Sequence, residues 1–355
     1  MTQDIVIIGA GQAGLAAARQ LAPTGDAPVL LDAAPALGHS WRERWDSLRL
    51  FTSARFDGLP GMPFPGDPDH YPGKDEVAEY LSAYAERFEL QVRLDTPVHR
   101  LTRHGDGFEL HTPTGTVYAR DVVVATGPFQ RPVVPPHDLD IPSLHTAAYR
   151  RPDQLPEGPV VVVGGGNSGV QIAAELAASG RPVSLAVGSP QPALPQRLLG
   201  RDLFHWLDLL RIVRIPSDTP IGARIRRREP LIGTGPSGLR AAGVTLLGRV
   251  VSAQGDRIRT ADGETTRAAA VVWATGYRLD HSWIDIPGAV GPDGAAVHTR
   301  GAGVVPGLHY IGLPYLFGRG SALLGWVGND ADRLAARVRA ARGAAQRRIG
   351  ASPQR

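Results

Sequence analysis

Two short apolar runs, each followed by a stretch of helix-forming residues, stand out in the hydrophobic pattern of the chain. The runs are IVII at residues 5–8 and VVVV at residues 160–163. Uninterrupted β-branched residues are typical of strands buried on both faces of a parallel sheet. Residues 15–21 and 170–176, which follow these runs, are mostly good helix formers. The pattern therefore predicts two strand-to-helix units in one chain.

A glycine-rich turn joins the strand to the helix in both units. Glycines occupy the first, third and sixth positions of each turn: Gly9, Gly11 and Gly14 in the first, and Gly164, Gly166 and Gly169 in the second. Glycine is required because a Cβ would hold the backbone N–H groups away from a phosphate, and the N-terminus of the following helix attracts negative charge. Each turn therefore predicts a site for the pyrophosphate of a dinucleotide.

A carboxylate follows the next apolar run of the first unit. The apolar residues 29–31 are followed directly by Asp32. A carboxylate at this point can accept hydrogen bonds from the ribose of a dinucleotide. An aspartate before Ala-Ala-Pro is more often a turn or N-cap residue. The position of Asp32 directly after a strand favours the ribose.

The same order of elements occurs twice along the chain. The first half continues with a loop-rich stretch (41–72), a helix (75–88), a small antiparallel meander (98–118) and an apolar strand that ends in Ala-Thr-Gly (122–127). The second half continues with a strand (183–187), a basic and aromatic insertion, hairpins near 244–246 and 256–258, and a second Ala-Thr-Gly (274–276). A last strand (308–312) and a last helix (322–341) are expected to return to the first half.

This duplication predicts an α/β protein with two Rossmann-like dinucleotide-binding domains. The first domain is expected to be discontinuous and to comprise residues 1–155 and 279–345. The second domain is expected to comprise residues 156–278. Residues 346–355 are expected to form a flexible tail.

Composition narrows the class of protein. The chain has 355 residues, of which 43% are hydrophobic and 20% charged, as expected for a soluble globular protein of more than one domain. The net charge is +4, and the one dense basic cluster, residues 224–228, ends at Glu-Pro. We interpret this cluster as a solvated face and expect no nucleic-acid partner. The chain has neither a signal-peptide pattern nor an apolar run long enough for a membrane span, which favours the cytoplasm.

Cysteine is absent from the chain. This excludes disulfides, thiolate metal sites, cysteine nucleophiles and the redox-active cysteine pair of flavoprotein disulfide reductases. The 11 histidines show no spacing typical of metal ligands, so we expect no metal.

With both glycine turns and both Ala-Thr-Gly segments, the chain resembles the class B flavin-dependent monooxygenases over residues 4–340. This family contains the FMO-like, Baeyer–Villiger and plant auxin-forming enzymes. The resemblance implies a glutathione-reductase-like two-domain flavoprotein with FAD in the first turn and NADPH or NADH in the second. The residues that it implies for FAD are Gly9, Gly11, Gly14, Asp32, Trp41 and Arg42, and those for the nicotinamide cofactor are Gly164, Gly166, Asn167, Ser168 and Gly169. Further cofactor-binding residues that it implies are Gln12, Ala13, Thr126, Gly127, His145, Tyr149, Thr275, Gly276, Gly312 and Ser321.

Two departures from the family pattern concern the linker fingerprint and the oxygenation site. In the fingerprint, His145 and Tyr149 fit, but Leu139 and Ile141 replace a phenylalanine and a glycine. His145 as an ordinary linker residue therefore stays open. Ser53 falls where some microbial relatives have an active-site asparagine, and its hydroxyl can still donate one hydrogen bond.

A third departure concerns the choice between NADPH and NADH. NADP sites generally have an arginine at the end of the second strand, whereas NAD sites have a carboxylate. Here the sequence is Val187-Gly188-Ser189, and Gly188 aligns with the arginine of the auxin-forming enzymes. We predict a relaxed preference, with Gln191, Arg197 or Arg201 as partial substitutes for the missing guanidinium.

The resemblance also implies a reaction. It would begin with hydride transfer from the nicotinamide to the flavin. Reaction of the flavin with O₂ would then give a C4a-hydroperoxide, and oxygen insertion into a small organic substrate would follow. Arg319 and Ser321 lie where a helix N-terminus could stabilise the reduced flavin, although a plain turn explains Ser321 nearly as well. Ser53 and Arg319 are the candidate catalytic residues. The aromatic residues that either line a substrate pocket or pack in the core are Trp45, Phe51, Phe56 and Tyr315.

Two other functions remain open at this point. The first is an NAD(P)H-dependent flavoprotein reductase that passes electrons to a quinone or a protein. The second is a redox sensor that binds both dinucleotides without turnover. The substrate and the type of oxygenation cannot be read from the sequence, and a homodimer is only the commonest assembly for an enzyme of this size.

Overall fold

The predicted strands of the first unit form the centre of a mixed sheet in the computed structural model, which describes residues 2–24, 27–189, 191–227 and 230–350. From edge to edge, the strands of this sheet are His298–Thr299, Ala302–Gly303, Leu308–Tyr310, Gly115–Val124, Thr2–Ile8, Val29–Leu31 and Gln91–Arg93. A hairpin of Arg100–His104 and Gly107–Thr112 pairs with Gly115–Val124. The last part of the chain thus returns to the first sheet, because Leu308–Tyr310 pairs in parallel with Gly115–Val124.

Helices cover one face of this sheet. They are Gln12–Leu21, Lys74–Arg87 and Val327–Gly350. Their alanine, leucine and tyrosine side chains pack in one core cluster with Ile5 and Ile7 of the first strand. The opposite face, including Val6 and Ile8, packs against the hairpin and residues 284–316. This alternation follows from the period of two in a strand, so a run without polar residues is buried on both faces.

The second sheet repeats the plan with parallel strands throughout. Its order is Val244–Leu247, Val183–Ala186, Val160–Val163, Ala270–Trp273 and Ser143–His145. Helices Asn167–Ala178 and Pro236–Ala241 pack beside it. The expected hairpin near 244–246 is wrong, because Val244–Leu247 is a parallel edge strand of this sheet.

A smaller sheet lies beside the second one. It contains Thr265–Arg267, Arg257–Thr260, Val250–Gly255 and Asp138–Leu139. Because Asp138–Leu139 and Ser143–His145 both pair with strands of the second unit, the chain leaves the first unit before residue 138. The boundary at residue 155 that the sequence suggested is therefore too late.

The two crossings between the units run side by side. Arg131–Pro132 pairs antiparallel with Tyr277–Arg278. The Gln130 amide nitrogen donates to Thr126 Oγ1 (3.0 Å), and its amide oxygen accepts from the Asp280 backbone N–H (2.5 Å). The outgoing and returning segments are thus joined by backbone and side-chain hydrogen bonds.

The inserted segment after the second strand contains short elements only. They are helices Leu203–Leu209 and Pro220–Arg227, and the paired strands Ala193–Leu194 with Leu231–Ile232 and Arg197–Leu198 with Arg201–Asp202. The short helix His39–Arg42 lies in the loop-rich stretch of the first unit. No helix among the described residues is long and apolar enough to cross a membrane. The last helix extends to Gly350, past the expected start of the tail at 346, and residues 351–355 lie outside the described residues.

Candidate active site

The first glycine turn is closely packed on its inner side. Gly9 has φ +104°, a conformation that side chains rarely adopt, and a Cβ there would lie 2.6 Å from the Ala125 carbonyl oxygen. A Cβ on Gly14 would overlap the Gly9 carbonyl oxygen. These two glycines let the helix approach the strand and the Ala-Thr-Gly segment, which brings Thr126 and Gly127 to the turn.

The outer side of the same turn is open. A Cβ on Gly11, which directly precedes helix Gln12–Leu21, would have no heavy atom within 4 Å. A side chain there would extend into the free space at the helix N-terminus, where a phosphate binds. The turn therefore fits the pyrophosphate of FAD, with Gly11 as the position that must lack a side chain.

The second glycine turn has the same geometry. Gly164 has φ +121° and abuts the Ala274 carbonyl, and a Cβ on Gly169 would overlap the Gly164 carbonyl oxygen. A Cβ on Gly166 would have no heavy atom within 4 Å. This turn thus also fits a pyrophosphate, and its contact with Ala274 brings Thr275 and Gly276 close to it.

Asp32 combines the two roles that its sequence position allowed. One carboxylate oxygen accepts from the Ala34 backbone N–H (2.8 Å), which is a local turn. The other accepts from the Ala10 backbone N–H inside the glycine turn (2.5 Å). The carboxylate is thereby held beside the turn, and each oxygen retains a second lone pair for a ribose hydroxyl.

Gln12 joins three separate segments at the first turn. Its side-chain oxygen accepts from Trp41 Nε1 (3.1 Å), and its side-chain nitrogen donates to the Ala322 carbonyl (3.3 Å). Gly312, with φ +78°, lies against Ala13, since a Cβ there would be 2.5 Å from the Ala13 Cβ. The structure therefore brings most of the predicted FAD residues together. Arg42, in the same short helix as Trp41, donates to the Leu37 carbonyl (2.6 Å).

Asn167 and His145 hold backbone near the second turn. Asn167 Oδ1 accepts from the Ile232 backbone N–H (3.1 Å), which fixes the inserted segment beside the helix start, and Ser168 is exposed there. His145 Nε2 bonds the Gly276 carbonyl (3.0 Å), and its Nδ1 accepts from the Ala147 N–H (3.1 Å). Burial lowers the pKa of His145. It is therefore a neutral side chain that positions the second Ala-Thr-Gly segment.

Tyr149 lies in the core of the second unit. Its side chain is fully buried, and its hydroxyl donates to Glu175 on helix Asn167–Ala178 (2.8 Å). The residue that the fingerprint pairs with His145 is thus engaged in packing. Trp45 lies in the same core cluster, as the core-packing alternative expected.

Arg249 is a residue near the second site that the sequence analysis missed. It follows edge strand Val244–Leu247, and its Nη2 donates to the Gly188 carbonyl (3.1 Å) and to Ser189 Oγ (3.3 Å). The signal for it was indirect. Only the parallel pairing of two strands distant in sequence places it at residues 188–189.

A third group of side chains contains both candidate catalytic residues. Phe204 stacks with Phe51 (5.8 Å between ring centroids) and packs against Trp326 (5.4 Å), and the Arg319 guanidinium lies 5.6 Å from its ring centroid. Ser53 is 1% exposed, and its hydroxyl has no hydrogen-bond partner among the described residues. Ser53 and Arg319 thus adjoin one aromatic cluster, which we call the Phe204 cluster: Phe51, Phe56, Phe204 and Trp326.

A buried acid lies beside Ser53. Asp57 is fully buried, and Thr52 Oγ1 donates to its Oδ1 (2.6 Å), whereas Oδ2 has no partner among the described residues. Burial raises the pKa of Asp57 to about 8; the hydrogen bond from Thr52 opposes this increase, and the charge of Asp202 adds a smaller one. Asp57 is therefore a neutral carboxylic acid at pH 7.

The loop before the last helix borders this cluster. Ser321 Oγ accepts from the backbone N–H groups of Phe317 (3.0 Å) and Gly318 (3.1 Å), so its hydroxyl closes its own turn, as the plain-turn alternative expected. Tyr315 has φ +56°, a strained conformation for a tyrosine. Its carbonyl accepts from Ser217 Oγ (2.8 Å), which attaches the inserted segment to this loop.

The chain is similar to several known oxidoreductases. A family described as pyridine nucleotide-disulphide oxidoreductase matches residues 6–195. An "uncharacterized oxidoreductase CzcO-like" of Geobacillus kaustophilus is 41% identical, and the alignment covers 93% of this chain and 97% of that protein. The solved flavin-containing monooxygenase of Stenotrophomonas maltophilia is 28% identical with a TM-score of 0.81, over 96% of this chain and 99% of that one. The chain belongs to the pyridine nucleotide-disulphide oxidoreductase family. Its similarity to flavin monooxygenases confirms the resemblance to class B.

A plant monooxygenase is also similar to this chain. The indole-3-pyruvate monooxygenase YUCCA1 of rice (Oryza sativa subsp. japonica) is 29% identical, over 79% of this chain and 78% of its own length. The predicted fold class, the oxidoreductase class and the pair of FAD and nicotinamide cofactors are confirmed at the level of the family. Because the chain has no cysteine, it lacks the redox-active cysteine pair of the disulfide reductases to which the family's name refers.

Proposed function

We propose that the protein is an FAD-dependent, NAD(P)H-consuming monooxygenase that inserts one atom of O₂ into a small organic substrate at the Phe204 cluster. The observation that supports this location is the continuous set of contacts from the first glycine turn to Ser53. Gln12 bonds the carbonyl of Ala322. Arg319, in the same short turn as Ala322, lies over the ring of Phe204. Phe204 in turn stacks on Phe51, close in sequence to Ser53.

The protein's own residues would exclude water and position hydrogen-bond donors. When bound, FAD would supply the redox chemistry and the activation of oxygen. The Phe204 cluster provides a dry aromatic wall, which matters because water and open solvent favour the unproductive release of hydrogen peroxide. The Ser53 hydroxyl, which has no partner among the described residues, is a donor ready for an oxygen species or substrate.

Charge at this site favours the same interpretation. Asp57 is neutral at pH 7 because burial raises its pKa to about 8, so this acid adds no negative charge to the site. Arg319 is 8% exposed and brings a cation to the aromatic cluster. A buried cation beside neutral polar groups would stabilise negative charge that develops on a reduced flavin or on bound oxygen.

The experiment that tests this function measures coupling. The purified protein with FAD is reduced anaerobically with NADH and NADPH in parallel and mixed with oxygenated buffer, while a panel of sulfides, amines and ketones is offered. We expect at least one substrate to lower hydrogen peroxide below the NAD(P)H consumed and to yield an equivalent amount of oxygenated product. Peroxide equal to NAD(P)H with every compound would instead support the reductase. Binding of both dinucleotides without flavin reduction would support the sensor.

A further inference from the structure

The end of the second strand in the second unit is where a dinucleotide site reads the ribose 2′ position. After strand Val183–Ala186 this chain has Val187, Gly188 and Ser189, and none of them carries a charge. From the sequence alone, this predicted little discrimination between NADPH and NADH. The structure shows that the neighbouring strand supplies a charged side chain to this position.

Strand Val244–Leu247 runs parallel to Val183–Ala186, so the two strands end at the same edge of the sheet. The Val187 N–H donates to the Leu247 carbonyl (3.0 Å), which fixes the register at this edge. Two residues farther along, Arg249 Nη2 donates to the Gly188 carbonyl (3.1 Å) and to Ser189 Oγ (3.3 Å). The guanidinium is thus tied to both residues that end the second strand.

The Arg249 guanidinium packs over Gly188. A Cβ built on Gly188 would lie 3.5 Å from the Arg249 Cζ atom, which is ordinary van der Waals contact. A longer side chain at residue 188 would project towards the place that the guanidinium occupies. The guanidinium thus brings a positive charge from another strand to the place where the second strand itself carries none.

The remaining donors suit a phosphate. Of the Arg249 nitrogens, only Nη2 forms a hydrogen bond within the described part of the chain, and the side chain is exposed. Ser189 accepts from Arg249, which leaves its hydroxyl proton available to an anion. Asp262, beside Gly248, accepts from Thr260 and forms no ion pair with Arg249 among the described contacts. Arginine and a hydroxyl together form a typical phosphate site.

We propose that Arg249, with Ser189, binds the 2′-phosphate of the nicotinamide cofactor and makes the protein prefer NADPH to NADH. This inference rests on the proposed function only in placing a nicotinamide dinucleotide at the second glycine turn. It replaces the relaxed preference that the sequence predicted. Arg249 is a specificity-determining residue, and its guanidinium packs against Gly188.

The first test uses cofactor fragments and no turnover. Binding of 2′,5′-ADP and of 5′-AMP is measured by calorimetry on the FAD-loaded protein, on Arg249→Gln and on Arg259→Gln. Arg259 is an exposed arginine of the neighbouring strand Arg257–Thr260 and serves as the matched control. We expect wild type and the control to bind 2′,5′-ADP at least about tenfold more tightly than 5′-AMP, and Arg249→Gln to lose this ratio, since tenfold is about 1.4 kcal/mol.

The second test measures the rate of anaerobic flavin reduction by NADPH and NADH. Arg249→Gln should raise the NADPH concentration needed for half-maximal reduction by about tenfold or more and leave the NADH value within about twofold, as for a lost charge-assisted contact. The double variant with Gly188→Arg and Arg249→Gln should recover the NADPH preference.

The outcomes separate this inference from the proposed function. Equal binding of the two fragments to wild type, or an Arg249→Gln protein that retains the wild-type ratio, would overturn the role of Arg249 whether or not oxygenation occurs. If the protein prefers 2′,5′-ADP through Arg249 but oxygenates no substrate, the role of Arg249 would stand and the proposed function would be refuted.

Discussion

Replacement of the buried acid Asp57 by asparagine should remove a large pH dependence of stability. Asp57 is fully buried and accepts one hydrogen bond, from Thr52. Its pKa is raised from 3.8 to about 8, chiefly by burial. A raised carboxyl pKa means that the folded protein retains a proton that the unfolded chain releases. Its contribution to stability is therefore fully present below pH 3.8 and is lost as the pH rises towards 8.

The size of the effect follows from this difference in proton binding. Each pH unit between the two pKa values costs the folded state about 1.4 kcal/mol, so the change from pH 5 to pH 8 costs about 4 kcal/mol. Asp57→Asn cannot titrate and should not incur this cost. Its amide nitrogen would take the position of the unpartnered Oδ2, and this unmet hydrogen bond costs about 1–3 kcal/mol at every pH. Comparison of the two pH values cancels that constant term.

The assay is urea unfolding at pH 5 and pH 8 with saturating FAD, for wild type, Asp57→Asn and Asp106→Asn. Asp106 lies in the exposed turn between strands Arg100–His104 and Gly107–Thr112 and controls for the loss of one carboxylate. We expect Asp57→Asn to gain about 4 kcal/mol relative to wild type on going from pH 5 to pH 8, and Asp106→Asn to follow wild type. Parallel behaviour of Asp57→Asn and wild type would refute the interpretation of Asp57 as a neutral buried acid.

Three further predictions concern the cofactor turns and the Phe204 cluster. Gly11→Val should fold but lose FAD, whereas Gly166→Val should remain yellow and be reduced slowly by either nicotinamide cofactor. The reason is that each new side chain would extend into open space where a phosphate binds. Flavin absorbance after gel filtration and anaerobic reduction rates distinguish the two variants, and equal loss of FAD in both would contradict the assignment. Phe204→Ala should increase the fraction of NAD(P)H recovered as hydrogen peroxide, while Phe129→Ala, at an exposed ring, should not. Ser53→Ala should lower the yield of oxygenated product by about tenfold, since one hydrogen bond contributes about 1.4 kcal/mol, with little change in the rate of flavin reduction. A parallel fall in both rates would indicate a structural role.

The sequence predicted the two cofactor turns well because their requirements are local. Gly9 and Gly14 must lack a Cβ for contacts within one strand-turn-helix unit, and the spacing records this directly. The C-terminal return was also predictable, since an apolar strand and an amphipathic helix remained after both units were complete. By contrast, the meander and the apolar run that follows it were expected as separate strands, although Gly115–Val124 is one continuous strand. The first half of this strand is largely exposed and its second half is largely buried, so the change in pattern suggested two strands.

The sequence did not predict features that depend on pairing between distant segments. Arg249 is informative only because Val244–Leu247 pairs in parallel with Val183–Ala186, and the alternating pattern near residue 244 favoured a hairpin. In the sequence Asp57 resembles an ordinary loop aspartate, but in the folded chain it is fully buried and its backbone packs close to Gly325 of a distant segment. In both cases the charge of the residue was visible, but its environment was set by residues elsewhere in the chain.

The paired crossings between the units have a consequence for proteolysis. Arg131–Pro132 and Tyr277–Arg278 are separate covalent links that lie side by side, and Gln130 bonds both crossings. A single cut in either link leaves the units tethered by the other link, so a nicked protein should run as one particle under native conditions and as two fragments after denaturation. Release of the second unit requires two cuts, and the pairing of the strands shields the backbone at both positions.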